Sequence, residues 1–334
     1  GAIAPAFSPE ELSHAIPEIF EIAEIRLKEL FNIFSENMTP KHWIDLSKGI
    51  EREFLAGARG VIITHGTDTL HFTASALAFM VRNPPGPIVL TGAMRSSDRP
   101  SSDAAINIIA STFFASRGDV SESVIIMHAG PDDTSCYVHR GVRSIKLHSS
   151  RRDAFVSIGC PPLALISNGN IRMITENYKH RNPISELRVE PYFEPKVALL
   201  YTYPGMSTDL LEALIDRHYR GIVLAGTGLG HTPNYIFPAI ERAIEEDIVV
   251  VMTTQCLWGG VFMNVYETGR KLLRMGVVPG HTMLPHVAYV KLGWLLGKDI
   301  PTKEVKSALL ENLCLEFVDR EGIQNFLTSE HSPI

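Results

Sequence analysis

The sequence predicts an α/β fold built on parallel sheets, with a larger N-terminal block and a smaller C-terminal one. Three observations carry that reading. Short β-branched apolar runs, Val61-Ile62-Ile63-Thr64 first among them, have the composition of strands buried on both faces of a parallel sheet. They alternate with helical stretches at the spacing of βαβ units, which close with right-handed crossovers. The alternation occurs twice, on either side of a proline-rich stretch. Residues 1–181 are therefore expected to form the N-terminal domain, 182–195 a linker and 196–334 the C-terminal α/β domain.

Taken in order, residues 1–7 hold Pro5 and no regular pattern. Ser8-Pro9-Glu10-Glu11 has the chemistry of a helix start: a serine cap, proline at the first position and acids in the first turn. The mixed run 25–34 ends at a polar loop closed by Pro40, and Thr39-Pro40 opens a helix to about Leu55. The strand at 61–64 delivers His65-Gly66-Thr67-Asp68-Thr69-Leu70, followed by an apolar helix over 72–81. A second strand, 87–92, leads through the Ser- and Asp-rich stretch 95–103 to a helix over 104–116 that Gly118 can stop. Residues 123–128 form the third strand.

From 132 to 172 the pattern weakens, and Arg140, Arg143, Lys146, Arg151 and Arg152 make the densest cationic stretch of the chain. Such runs are usually solvated, so a crossover hairpin facing water is expected there. Asn182-Pro183, Glu190-Pro191 and Glu194-Pro195 mark the linker. In the second block strands are expected at 196–202, 221–225 and 248–253, with helices at 208–218, 236–246, 285–296 and 302–313.

Composition narrows the function. With 334 residues, 45% hydrophobic and 20% charged, the chain has ordinary globular statistics. A net charge of −6 argues against a broad nucleic-acid footprint, while leaving room for a complex in which another subunit holds the nucleic acid. No apolar run reaches the roughly 18 to 20 residues of a membrane helix. Residues 1–20 carry no signal-peptide pattern, so a cytoplasmic location and no membrane contact are expected. The four cysteines are far apart and lack a C-x-x-C, and the 13 histidines form no H-x-x-x-H. Neither a disulfide framework nor a metal site is expected.

In open α/β sheets ligands bind where strands end and helices begin, which draws attention to Thr67 and Asp68. Alone, the hexapeptide reads first as a helix cap, because Thr and Asp are common N-caps. A catalytic reading needs a base, since a threonine hydroxyl is a poor nucleophile until its proton is taken. Lys146 is the candidate, because a lysine partly removed from water can act as a base and a carboxylate such as Asp68 can orient it. Gly226-Thr227-Gly228-Leu229-Gly230 follows a strand but is neither G-x-G-x-x-G nor a P-loop, so a tight loop at a domain interface is expected over a phosphate cradle. Residues 96–103 read as a helix cap with a local Asp–Arg pair.

Several of these stretches together resemble the L-asparaginase/glutaminase family. They are His65-Gly-Thr-Asp-Thr-Leu70, Thr91-Gly-Ala-Met-Arg95, Lys146, the loop at 225–231 and Thr254-Gln255-Cys256, so the resemblance runs the length of the chain. Within the family, the run from Arg95 to Asn107, His139-Arg140-Gly141, Ser150-Arg151-Arg152-Asp153 and the run from Leu284 to Lys291 are similar to the branch that serves archaeal glutamyl-tRNA(Gln) amidotransferases.

The resemblance implies an asparaginase-like fold and a homodimer with the site at the interface. It implies hydrolysis of the L-glutamine side-chain amide, with ammonia passed to a transamidase partner subunit that converts Glu-tRNA(Gln) to Gln-tRNA(Gln). No cofactor is implied in this subunit; ATP and Mg would be used by the partner. By position, Thr67, Asp68 and Lys146 are the implied proton-handling triad, and Ser35, Glu36 and Gly66 the implied substrate-binding residues. Two departures stand out. The family's other catalytic threonine lies in a Gly-rich turn that would fall just before Gly1, as would a small N-terminal domain. The 334 residues are therefore expected to be a truncated chain, weak or inactive by itself. His286 stands where the family usually has Glu. The competing expectations are a free cytoplasmic L-asparaginase, a non-catalytic assembly subunit and, further back, a nucleotide-binding domain.

Overall fold

A computed structural model describes residues 14–95 and 101–322. The helix start expected at Ser8 lies outside them, as does most of the 96–103 stretch. The chain divides into two units, 1–191 and 192–334.

In the first unit, α1 (Ile19–Ile22) is one short turn, and the mixed run after it stays irregular until a single 3-10 turn at Ser35–Asn37. That turn falls inside the stretch read as loop. Helix α2 (Pro40–Leu55) opens with a capping box in which Thr39 and His42 satisfy each other's backbone ends, and Pro40 fills the first position, where no N–H is needed. Strand β1 (Val61–Thr64), helix α3 (Leu70–Met80) and β2 (Val81–Arg82) follow. Next come β3 (Ile88–Thr91), α4 (Ala104–Arg117), β4 (Ser123–His128), β5 (Ser135–Arg140) and β6 (Ser144–Lys146). The unit ends with β7 (Phe155–Ser157), β8 (Ala164–Ser167), β9 (Asn170–Met173) and β10 (Arg188–Val189).

The main sheet has the order β1-β3-β4-β5-β8-β9. Only β1, β3 and β4 are parallel; β5, β8 and β9 continue it as an antiparallel meander, so the sheet is mixed rather than parallel throughout. Antiparallel strands can be joined by short turns, which is why this half carries no helices between its strands. Expectation and structure also differ at β1. It lies at the sheet edge and is half-buried, with Thr64 exposed, because among the described strands only β3 pairs with it. Val89, Phe114, Val124, Ile126, Val138 and Leu163 form the core on one side of the sheet.

The cationic stretch is the solvated hairpin its composition suggests only in part: β6 and β7 pair antiparallel with Arg151 exposed in their connection, whereas its first arginines turn inward. Arg140 and Arg143 are buried. Arg140 pairs with Glu122 through Nε–Oε2 at 2.7 Å and Nη2–Oε1 at 3.2 Å. Arg143 donates from Nε and Nη2 to the Ile158 carbonyl at 2.9 and 2.6 Å. Buried guanidinium groups persist only when paired and hydrogen-bonded in this way. The stretch read as linker is also partly structured: β10 pairs antiparallel with β2.

The second unit holds a wholly parallel sheet, β11 (Val197–Tyr201), β12 (Gly221–Gly226), β13 (Val249–Thr254) and β14 (Val278–Pro279), in that order. Helices α5 (Asp209–Asp216) and α6 (Phe237–Glu245) fall where periodicity places them. Helix α7 (Glu267–Met275) was not legible, because only Gly269 and Leu272 of its nine residues are buried. Helix α8 (Pro285–Leu296) is largely apolar and buried along its length, His286 and Lys291 included, as a helix lodged in a core is. Helix α9 (Thr302–Leu309) stops short of the expected 313, where Lys291 Nζ takes the Leu309 and Glu311 carbonyls at 2.9 and 2.5 Å. The Gly-rich loop is a tight turn: Thr227 and His231 exchange backbone hydrogen bonds of 2.8 and 2.9 Å, with Gly228 and Gly230 at φ of 50° and 99°.

Candidate active site

The site grows from the end of β1. His65 N donates to Thr91 O at 2.9 Å, so the exit of β1 is tied to the exit of β3. The chain then turns through Gly66, Thr67, Asp68 and Thr69 into α3. Neither Thr67 nor Asp68 caps that helix: the N-cap is Thr69, which makes no side-chain cap bond and instead donates from Oγ1 to Ser35 O at 2.6 Å. The capping explanation of the hexapeptide therefore fails, and the two side chains turn elsewhere.

They meet Lys146. Its Nζ donates to Thr67 Oγ1 at 2.8 Å and to Asp68 Oδ1 at 2.6 Å. Lys146 ends β6, whose hairpin with β7 is anchored by the buried Arg143 on Ile158, so the lysine is presented from a rigid element. Thr67 is 9% exposed and the Lys146 side chain 9%, whereas the Asp68 side chain is 68% exposed. A hydroxyl and an ammonium group thus lie at the edge of the interior with a carboxylate open to water. As an ammonium the lysine donates to both; once it gives up a proton it can receive one from a hydroxyl at the same distance.

Ser35 lies against this turn. A Cβ added at Gly66 would come within 2.9 Å of Ser35 Cβ and Oγ, so only glycine lets the two segments approach so closely. Ser35 is buried and Glu36, next in the 3-10 turn, is exposed. Thr67, Asp68, Lys146, Gly66 and Ser35 are thereby gathered in one place, with Glu36 beside Ser35 in sequence.

Sequence reasoning assigned no role at the site to two further groups of residues. Behind the turn, Trp43 Nε1 donates to Thr73 Oγ1 at 3.0 Å, Thr73 Oγ1 lies 2.9 Å from His65 Nε2, and His65 Nδ1 lies 2.6 Å from Gly66 O. Burial holds the His65 ring below the usual histidine range, against the opposing pull of the Gly66 carbonyl. On α3, burial first and the Lys146 charge second lower His71 to about 4. The other group is Asp103, fully buried, which accepts from Met94 N at 2.9 Å, Arg95 N at 2.8 Å and Asn107 Nδ2 at 3.1 Å. Asn107 Nδ2 also donates to Gly92 O at 2.8 Å, and its Oδ1 receives His128 Nδ1 at 2.7 Å. These contacts fix the exit turn of β3, where a Cβ on Gly92 would lie 2.3 Å from His65 O and 3.3 Å from Thr67 Cγ2. The signal available in sequence was Asp103 and Asn107 four apart at the head of an apolar helix, which places both on one face.

Among the described residues no group of three or more His, Cys, Asp or Glu side chains is arranged to hold a metal ion, and no helix is long and apolar enough to cross a membrane.

The α/β fold, with these side chains gathered at a strand end, is that of an asparaginase-like protein. Family models agree: that of the N-terminal asparaginase domain matches residues 1–179 and that of the glutaminase/asparaginase C-terminal domain residues 196–309. The chain belongs to the asparaginase/glutaminase family, in the group represented by the D-type subunit of glutamyl-tRNA(Gln) amidotransferase. It is 49% identical over 328 residues to the D-type subunit from Pyrococcus abyssi and 51% identical over 328 residues to that from Pyrococcus furiosus. Each alignment covers 98% of this chain and 74% of the relative. Among solved structures, the thermostable L-asparaginase from Thermococcus kodakarensis superposes with a TM-score of 0.84 at 31% identity, over 95% of this chain and 97% of that one.

Proposed function

We propose that the protein is the glutamine amidohydrolase subunit of a tRNA-dependent amidotransferase, releasing ammonia from L-glutamine for a partner subunit. The observation that carries this reading is the meeting of Lys146 Nζ with Thr67 Oγ1 and Asp68 Oδ1 at 2.8 and 2.6 Å. Near-50% identity to the amidotransferase relatives gives the reading its context.

Amide hydrolysis needs a hydroxyl to attack the carbonyl carbon while its proton is removed, and then a proton for the departing nitrogen. Neutral Lys146 takes the proton of the attacking hydroxyl through Thr67 and becomes an ammonium ion steadied by Asp68. The carbon–nitrogen bond of the tetrahedral intermediate breaks as Lys146 returns the proton, and ammonia leaves. Water then cleaves the resulting ester by the same proton path, giving glutamate and restoring the hydroxyl. Backbone N–H groups at the strand end stabilise the oxyanion. Ser35, Glu36 and Gly66 hold the α-carboxylate and α-amino groups of the substrate.

In this reading the protein works as a cytoplasmic homodimer and carries no cofactor of its own. The partner subunit uses ATP and Mg to activate Glu-tRNA(Gln) and consumes the ammonia. A free L-asparaginase is the competing reading, favoured by the likeness to the Thermococcus kodakarensis asparaginase structure. Ammonia release from Gln and from Asn, measured for the native gene product with and without its partner and Glu-tRNA(Gln), separates the two. Glutaminase activity that rises with partner and tRNA is expected; high unassisted turnover of Asn would overturn the proposal.

A further inference from the structure

The chain Trp43–Thr73–His65–Gly66 has a direction, and the direction can be read from its ends. A carbonyl oxygen only accepts, so the 2.6 Å contact of His65 Nδ1 with Gly66 O requires the proton on Nδ1. An indole N–H only donates, so Trp43 Nε1, 3.0 Å from Thr73 Oγ1, takes one lone pair of that hydroxyl. The hydroxyl proton of Thr73 is then directed to His65 Nε2, 2.9 Å away, which a neutral ring offers as an acceptor. All three bonds run one way, from the α2 side chain Trp43 through the α3 side chain Thr73 to the turn that carries Thr67.

We propose that His65 is a positioning residue: kept in its Nδ1–H form by Trp43 and Thr73, it holds the Gly66 carbonyl and so aims the Gly66–Thr67 peptide that sets Thr67 against Lys146. This deepens the amidohydrolase reading above and rests on it for the kinetic consequence, though not for the tautomer. The mechanical argument is short. A peptide group is planar and trans, so turning the Gly66 carbonyl onto His65 directs the Thr67 N–H to the opposite side of the same plane. Gly66 alone would leave that plane loosely set, since glycine has the widest backbone freedom. The backbone of His65 is itself fixed by its bond to Thr91 O at 2.9 Å, so the imidazole acts from a rigid base. His65 does not touch Lys146 in any of these contacts; it acts through the peptide.

Asparagine and glutamine separate the two ring nitrogens. The Nδ2 of asparagine reaches the place of Nδ1, whereas glutamine extends toward the place of Nε2. In the native gene product, His65→Gln and His65→Ala should lower kcat for ammonia release about 100-fold, the scale of losing one aligned backbone donor. His65→Asn should recover most of that loss, with KM for glutamine little changed. Thr73→Val keeps His65 but removes the hydroxyl that favours the Nδ1–H form. Nitrogen-15 spectra of the ring should then show the Nε2–H form gaining population, with kcat falling in step. Equal losses in folded His65→Asn and His65→Gln would overturn the proposal, as would a native ring carrying its proton on Nε2 or a tautomer unmoved by Thr73→Val. If the native protein and its partner release no ammonia from either amide, the functional reading falls. The ring spectra still decide the tautomer.

Discussion

Lys146 and Asp68 sit 2.6 Å apart across a steep gradient of solvent, the lysine side chain 9% exposed and the carboxylate 68%. Water screens the carboxylate's pull, and exposed partners in ion pairs contribute little. The lysine has no comparable substitute within reach of Thr67 in the contacts described. Lys146→Met should therefore abolish most glutaminase turnover, by about 1,000-fold, within the range of lost acid–base catalysis. Asp68→Asn retains a hydrogen-bonding group and should cost about tenfold to 100-fold. Comparing kcat for the two variants at fixed folded concentration checks the order; an Asp68→Asn loss exceeding that of Lys146→Met would reverse the assignment of the base.

In the second unit, Lys291 and Glu316 are 2.7 Å apart and both side chains are wholly buried. Glu316 also accepts from Leu313 N at 3.1 Å and Cys314 N at 2.6 Å, so the pair fastens the chain beyond α9 to α8. Removing one partner strands a buried charge, at a cost of about 3–5 kcal/mol. Lys291→Met alone is expected to lose that much in denaturant unfolding. The double variant Lys291→Met, Glu316→Leu should recover part of it, because the stranded charge is gone.

Buried histidines set the acid limit of stability. Burial holds His71 at about 4 and His139 at about 3, against the usual 6.5. Both folded values lie below the unfolded one, so the unfolded chain binds protons first as pH falls. Their contribution to stability is intact above the usual value and drains away toward the folded values. Each histidine then costs about 1.4 kcal/mol per pH unit in that window. Between pH 7 and pH 5, above the range where carboxylates titrate, unfolding free energy should drop on the order of 3 kcal/mol. Denaturant melts at the two pH values measure it, and His139→Gln should reduce the slope while leaving the share of His71 and of His65, which burial also holds low.

What could be read in advance follows from where each residue's partner lies. Strands β3, β4, β12 and β13 are continuous apolar runs because parallel strands are covered on both faces, and such runs are visible locally. Strand β5 carries Ser, Tyr, His and Arg, and it is a strand because β4 and β8 flank it. The burial of Arg140 depends on Glu122, 18 residues earlier, which no window over 135–146 contains. Thr67 and Asp68 are neighbours and were legible together. Lys146, 79 residues from Thr67, could be nominated by its chemistry, but their meeting depends on the β6–β7 hairpin. Asp103 was visible only as a possible cap; its actual use, holding two N–H groups of the β3 exit turn, is a tertiary fact.

Two glycines allow the parts of the site to be tested separately. At Gly92 an added Cβ would lie 2.3 Å from His65 O, a backbone atom that cannot rotate away, and 3.3 Å from the Thr67 methyl. Gly92→Ala must therefore shift the exit of β1 and Thr67 with it. At Gly66 the added Cβ would meet Ser35 Cβ and Oγ at 2.9 Å, so the strain falls on the segment proposed to hold the substrate's α-groups. Overpacking of this kind costs about 1–3 kcal/mol. Both variants should be less stable by that amount in denaturant melts, while their kinetics divide. Gly92→Ala should lower kcat with a small change in KM, because it moves the Thr67 hydroxyl that carries the proton to Lys146. Gly66→Ala should raise KM for glutamine, because it displaces Ser35. A Gly66→Ala variant that leaves KM unchanged while folded would remove Ser35 from the substrate-binding residues.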